Sequence, residues 1–222
     1  MPASRIDRAP YLTLEFASRK TPVGSFEPDR FTTTKTGNIL MEEPGELGRF
    51  KEEGTQFIGE FECSLVDIGS ALGQESFRDI FDASSSALGE VRDLLYGDAD
   101  GPHLSPELER ILSEMTDAEY LVNQNVLYID RLELHDEYRD RGLGLRALDG
   151  LLRAESSSFG LAVLKAFPLQ YASSTRPQVR PKEFKRDTPK LMKHYERLGF
   201  RGIPRTMFMV LPHSTLWSRR GL

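Results

Sequence analysis

Apolar residues recur along this chain with two different periods, and the switch between them divides it. In residues 10–18 (PYLTLEFAS), Leu12, Leu14 and Phe16 alternate with Tyr11, Thr13 and Glu15, the period-two signature of a half-buried strand. Residues 19–37, rich in Thr, Pro and Gly, read as a loop, and residues 37–41 as a second strand. Residues 44–54 form a turn-rich connection, and residues 56–68 (QFIGEFECSLVDI) predict a long strand of β-branched and aromatic side chains. From residue 73 the spacing becomes helical. Phe77, Ile80 and Phe81, then Leu88, Val91, Leu94 and Leu95, return at intervals of three and four. Ser105-Pro106-Glu107 supplies an N-cap followed by proline, which predicts a helix running through Met115. Residues 73–120 are therefore expected to be helical.

The second half alternates strictly between the two kinds of element. Residues 124–134 (QNVLYIDRLEL) read as a strand. The loop HDEYRDRG leads into a helix with Leu145, Leu148, Leu151 and Leu152 on one face, ended by Gly160. Residues 161–167 (LAVLKAF) are almost all apolar, as in a central strand covered on both sides. Thr188-Pro189 predicts the start of another helix, with Leu191, Met192, Tyr195 and Leu198 inward and Gly199 at its end. Residues 205–211 (RTMFMVL) predict the last strand. The class is α/β (α+β), a sheet with helices packed on it, and the length of 222 residues suits one domain over 1–222.

Composition narrows the function classes. With 39% apolar and 28% charged residues, and no run near the ~18 apolar residues of a membrane helix, no membrane partner is expected. The opening MPASRIDRAP has no apolar core of a secretory signal. Cys63 is the only cysteine, so no internal disulfide forms and a reducing, cytoplasmic setting is expected. The four histidines lie far apart, which predicts no metal site. A net charge of −5 argues against nucleic-acid binding. The charge is uneven: residues 67–119 are acidic, whereas Arg176, Arg180, Lys182, Lys185 and Arg186 make residues 165–190 basic. Two such fields either flank a cleft or are simply solvated faces.

The segment Arg139-Asp140-Arg141-Gly142-Leu143-Gly144 stands between a predicted strand and a predicted helix. A turn of this kind aims several backbone N–H groups at one place, next to the positive end of the helix dipole, and so makes an anion site. Gly142 and Gly144 let a phosphate approach the main chain, and Arg139, Arg141 and Arg146 offer charge-assisted donors. A diphosphate fits such a turn. An ordinary strand–helix turn that needs glycine for its geometry has the same letters. The pattern is neither a P-loop, since Gly-Lys-Ser/Thr is missing, nor a dinucleotide fingerprint, since the third glycine is missing.

Leu132-Glu-Leu134-His-Asp-Glu-Tyr138-Arg139-Asp-Arg-Gly142-Leu-Gly144-Leu145 resembles the central motif of the GNAT (general N-acetyltransferase) superfamily, Arg/Gln-x-x-Gly-x-Gly/Ala. About fifty residues on, Tyr195-Glu-Arg-Leu-Gly199-Phe200 resembles its second motif, Tyr-x-x-x-Gly-Phe. The likeness covers residues 124–212. It implies a mixed, mostly antiparallel sheet splayed at an acyl-CoA cleft, with acetyl-CoA (coenzyme A) as cofactor. It further implies that Arg139, Asp140, Arg141, Gly142, Leu143, Gly144 and Leu145 bind the pyrophosphate, and that Leu132 and Leu134 offer backbone groups to the pantetheine arm. In the same likeness the Leu134 amide polarises the thioester and Tyr195 is the general acid. Two features depart from the family pattern. Helices follow residue 68 rather than the first strand, and Thr188-Pro189 stands where an Asn is common.

For the base, Asp130 lies two residues before Leu132 and is expected on the same strand face, unless it is a salt-bridged structural carboxylate. A water chain is the other candidate for that role. The expected reaction is direct attack by an amine, from a small molecule or a peptide, on acyl-CoA. The alternatives are a non-catalytic acyl-CoA-binding module and an interaction protein docking through the acidic helices. Acceptor identity, acyl length and a homodimer are left open.

Overall fold

The computed structural model describes residues 10–19, 28–42, 54–72, 77–82, 85–97, 101–116, 123–168 and 181–216. Most of the 44–54 connection lies outside these residues, as do Arg176 and Arg180 of the basic segment 165–190.

Three strands come first: β1 (Tyr11–Arg19), β2 (Thr32–Glu42) and β3 (Thr55–Val66). Four helices follow: α1 (Ile68–Ala71), α2 (Phe77–Asp82), α3 (Ser86–Tyr96) and α4 (Pro106–Met115). Then come β4 (Val126–Leu134), α5 (Leu143–Ala154), β5 (Leu161–Lys165), α6 (Pro181–Glu196), β6 (Arg201–Gly202) and β7 (Phe208–Pro212). The strands form one sheet in the order β1-β2-β3-β4-β5-β7-β6. Neighbours are antiparallel throughout except β4 and β5, which run parallel. A parallel neighbour needs a crossover, and α5 supplies it.

Each face of the sheet carries a core. On one, Leu145, Leu148, Leu151 and Leu152 of α5 pack with Ile39, Ile58, Phe61, Leu127, Ala162 and Met209, joined by Leu191, Met192 and Tyr195 of α6. On the other, Phe77, Ile80, Phe81, Leu88, Val91, Leu95, Leu108 and Leu112 of α2–α4 cover Val66, Val126, Val163 and Val210. The two cores take alternate residues of β5, which is why that strand is apolar throughout. The acidic helical segment is thus one whole layer of the domain, with its leucines and phenylalanines inward and its carboxylates outward.

The cap signals hold where the backbone obeys them. Ser85 Oγ accepts from the Leu88 N–H at 3.2 Å and caps α3, and α4 begins at Pro106 as the sequence predicts.

Other boundaries differ. β2 starts at Thr32, five residues before the predicted strand, because its Thr-rich first half pairs along both β1 and β3; sheet pairing overrides a weak local pattern. α6 begins at Pro181, so Thr188 and Pro189 are interior rather than capping. Thr188 Oγ1 instead donates back to Phe184 O at 3.0 Å. Two Pro-containing starts compete in this segment, and the earlier one wins. β7 begins at Phe208, three residues after the predicted start. Arg205 is left-handed (φ 63°) and Thr206 Oγ1 accepts from the Phe208 N–H at 3.1 Å, so residues 203–207 are a turn.

Cys63 lies fully buried in the α5-side core, beside a part-buried ion pair in which Lys35 Nζ meets Glu155 Oε2 at 2.6 Å. Burial, reinforced by the Glu155 charge and opposed by Lys35, pushes the Cys63 thiol up to about 12. A thiol held protonated in this way is not a nucleophile at neutral pH.

Candidate functional site

The opening in the sheet begins with one extra residue in β4. Glu62 pairs with Arg131 and Cys63 with Ile129, so Asp130 is bulged out of the β3–β4 ladder. Strict alternation would put Leu132 with Val126 and Tyr128. Instead Leu132 and Leu134 join Leu127 and Ile129 on the α5 side, while Val126 and Tyr128 belong to the α1–α4 side. The bulge therefore corrects the expectation that Asp130 and Leu132 share a face. The Asp130 carboxylate and the Tyr128 hydroxyl line the same cavity and interact electrostatically, which groups Asp130 with Tyr128. Burial first, and then Asp130, keeps the Tyr128 phenol well above its ordinary range.

On its other edge β4 pairs with β5 only from Val126↔Leu161 to Ile129↔Leu164. β5 ends at Lys165 while β4 continues to Leu134, so the edge from Asp130 onward has no strand beside it among the described residues. The register settles which backbone groups face that gap. The His135 N–H donates to Ile58 O at 2.9 Å, so Gly59 and Leu134 are a non-hydrogen-bonded pair. Leu134, and Leu132 two residues back, therefore turn their N–H and C=O groups away from β3 and toward the opening.

A cavity of about 250 Å³ fills the gap, lined by Ala87, Tyr128, Ile129, Asp130, Leu132, Leu148, Leu164, Lys165, Phe167 and Tyr195. Its α5-side wall is apolar apart from Tyr195. Burial pushes the Tyr195 phenol up to about 12, so it remains a proton donor across the neutral range. A wider depression of about 410 Å³ runs over β1–β3 near Glu15, Glu60 and Arg131. Its Arg131 pairs with Glu60 at 3.3 Å, and it does not contain Tyr195.

The turn after β4 stands at the end of this opening. A single 3-10 turn over Asp136–Tyr138 leads to Asp140, left-handed at φ 61°, and then to Gly142 at φ 74°, the N-cap of α5. The first amide of α5 that bonds back is that of Arg146, to Gly142 O at 3.3 Å. The amides before it are those a helix start cannot satisfy internally, and they make the end of α5 a place for an anion. The side chains of Leu143 and Leu145 are buried in the core, so these residues can contribute only backbone groups.

The three arginines of the segment do not act alike. Arg139 folds inward: Nε donates to Leu134 O at 2.9 Å, and its other nitrogens meet Glu133 at 3.3 Å and Asp136 at 2.7 Å. Arg146 donates to Pro10 O at 2.6 Å and ties β1 to α5. Arg141 is exposed, its guanidinium 5.7 Å above the Tyr138 ring. Arg139 and Arg146 therefore shape the turn, and Arg141 is the cation left for a ligand.

The structure brings Asp130, Leu132 and Tyr195 to one cavity, with Leu134 at its edge and the Arg139–Leu145 turn beyond. Tyr128, Lys165 and Ala87 also line the cavity, and sequence reasoning did not single them out. Lys165 carried a signal, as the one charged residue in the apolar run of residues 161–167. Among the described residues no cluster of His, Cys, Asp and Glu could hold a metal ion, and no helix is long and apolar enough to cross a membrane.

No protein-family model matches the chain, and no curated protein matches it in sequence. Among solved structures, the chain is similar to a mutant of KacT (10% identity, TM-score 0.41, covering 83% of this chain and 74% of that one). It is also similar to AtaTR bound with AcCoA (10%, TM-score 0.39, 93% and 96%) and to Arabidopsis thaliana NAA60 in complex with acetyl-CoA (13%, TM-score 0.36, 79% and 76%). A mixed, mostly antiparallel sheet that parts between β4 and β5, with helices on both faces and the Arg139–Gly144 turn after β4, is the architecture that the resemblance to the GNAT superfamily implies.

Proposed function

We propose that the chain is an acyl-CoA-dependent N-acyltransferase, an acetyltransferase in the simplest case, that moves the acyl group to an amine by direct attack. The observation that carries this reading is the parting of β4 from β5 beside an uncapped helix start. An extended ligand with a diphosphate at one end can lie along the free edge of β4 and leave its other end at Tyr195. The Arg141–Leu145 amides would hold the pyrophosphate of coenzyme A. Leu132 and Leu134 would hydrogen-bond the pantetheine arm as an added strand would, with the Leu134 amide beside the thioester oxygen. The Leu134 carbonyl is already taken by Arg139, so of its two backbone groups the N–H is the one left for a ligand.

Acyl-coenzyme A would supply the thioester and leave as the thiol, and the residues of this chain would supply the proton transfers. Asp130, beside Tyr128, faces the side from which an amine would arrive and would accept its proton. Tyr195 would protonate the departing thiolate. The raised phenol is a reluctant acid in water, but the same burial raises the basicity of a thiolate formed next to it. The test is release of the coenzyme A thiol from acetyl-CoA in the presence of a panel of amines. Amine-dependent release at a rate well above the amine-free blank is expected; binding of coenzyme A without any amine-dependent release would leave a non-catalytic binding module.

A further inference from the structure

The cavity reaches both faces of the sheet, and the two ends differ chemically. The α5-side wall consists of Ile129, Leu132, Leu148, Leu164 and Tyr195. The α1–α4 side carries the charge. The last pair across the parallel ladder is Ile129↔Leu164, so Asp130 and Lys165 are the next residues on either lip of the opening. Lys165 extends β5 in step with Leu161 and Val163, and its Nζ lies 5.1 Å above the ring of Phe208, a member of the core under α1–α4. It is therefore on the same side as Asp130. Among the described residues lining the cavity, Asp130 is the one carboxylate and Lys165 the one cation.

Lys165 is also held from outside. Its Nζ meets Oε2 of Glu90 at 2.6 Å, and Glu90 and Ala87 both belong to α3. Ala87 lines the cavity directly. The acidic helical layer thus supplies a wall of the opening and the counter-ion of Lys165. Glu90 is about half exposed, and a pair this accessible to water is weak. A ligand anion can replace Glu90 on Lys165 at little cost.

Building on the acyltransferase reading, we propose that the acceptor is a small amine that also carries an anionic group, as an amino acid does. Its amine faces Asp130 and its carboxylate faces Lys165, in competition with Glu90. A volume of about 250 Å³ admits a molecule of that size. Two opposite charges on the lips match a zwitterion and leave a polycation with one repulsive contact.

The test compares amino acids with their carboxamides as acceptors, reading coenzyme A thiol release, in the wild type and in Lys165→Met, Lys165→Gln and Glu90→Gln. In the wild type kcat/KM is expected to favour the free carboxylates by tenfold or more. Both Lys165 variants should erase that preference by raising KM for the carboxylates alone. Glu90→Gln should lower KM for the carboxylates several-fold, because the competing anion is gone. Opposite signs from the two partners of one ion pair separate ligand recognition from a structural role, in which both changes would act the same way. Amine turnover without carboxylate preference, or a preference that survives both Lys165 variants, overturns this inference alone. No release with any amine overturns the acyltransferase reading and this inference with it. Coenzyme A binding, measured on each variant, identifies those that are folded.

Discussion

Replacing Tyr195 with phenylalanine is expected to lower kcat by about 10²-fold while the affinity for coenzyme A stays within a factor of two or so, about the lower bound for losing a positioned general acid. The ring keeps its place against Leu191, Met192 and the α5-side core, so only the proton is lost. The split between kcat and binding is what distinguishes a proton donor from a packing residue, for which both quantities would move together or neither would. The pH dependence carries the same information. Tyr195 acts in its protonated form, which persists below its pKa, and that pKa is raised to about 12. The kcat profile of the wild type should therefore show no basic limb from Tyr195 at pH 8–10. A turnover number unchanged by Tyr195→Phe would remove the phenol from the reaction.

The second large effect is expected at Gly142. Its φ of 74° is a left-handed conformation that a side chain adopts only with strain, about 1–2 kcal/mol and more for a β-branched residue. Gly142→Val should twist the backbone that aims the Arg141–Leu145 amides and weaken coenzyme A binding by tenfold or more, with the fold retained. Gly144 is a control in the same turn. A Cβ there would meet Leu134 Cδ1 at 3.8 Å and Leu132 Cδ2 at 4.0 Å, ordinary contacts, and Gly144 needs no left-handed backbone. Gly144→Ala should keep affinity within a few-fold. Calorimetric titration of the three proteins with coenzyme A measures both. Equal affinities for Gly142→Val and the wild type would show that the turn does not grip the ligand.

Much of this architecture was legible from period alone. The helices between Phe77 and Met115 bury the helical period read there, and β3 and the apolar β5 bury the strand patterns of residues 56–66 and 161–165. The strand–turn–helix context of Arg139–Gly144 was legible for the same reason, since glycines mark where chain direction and handedness change. What was not legible depended on neighbours. The bulge at Asp130 is a property of the β3–β4 register, and neither strand announces it. It matters because it moves Asp130 to the face opposite Leu132. The early start of α6 hid behind Thr188-Pro189, whose local chemistry is that of a helix start. The commitments of Arg139 to Leu134 O and of Arg146 to Pro10 O link residues by folding, so three arginines that looked equivalent have different tasks. Lys165 and Glu90 are 75 positions apart and meet only because α3 lies across β5.

The acyltransferase function requires that the start of α5 hold the diphosphate of coenzyme A. Titrating coenzyme A into the purified protein in a calorimeter tests this most directly. The expected result is saturable heat with about one equivalent bound per chain, accompanied by a rise in Tm. No heat and no stabilisation at millimolar coenzyme A would contradict it.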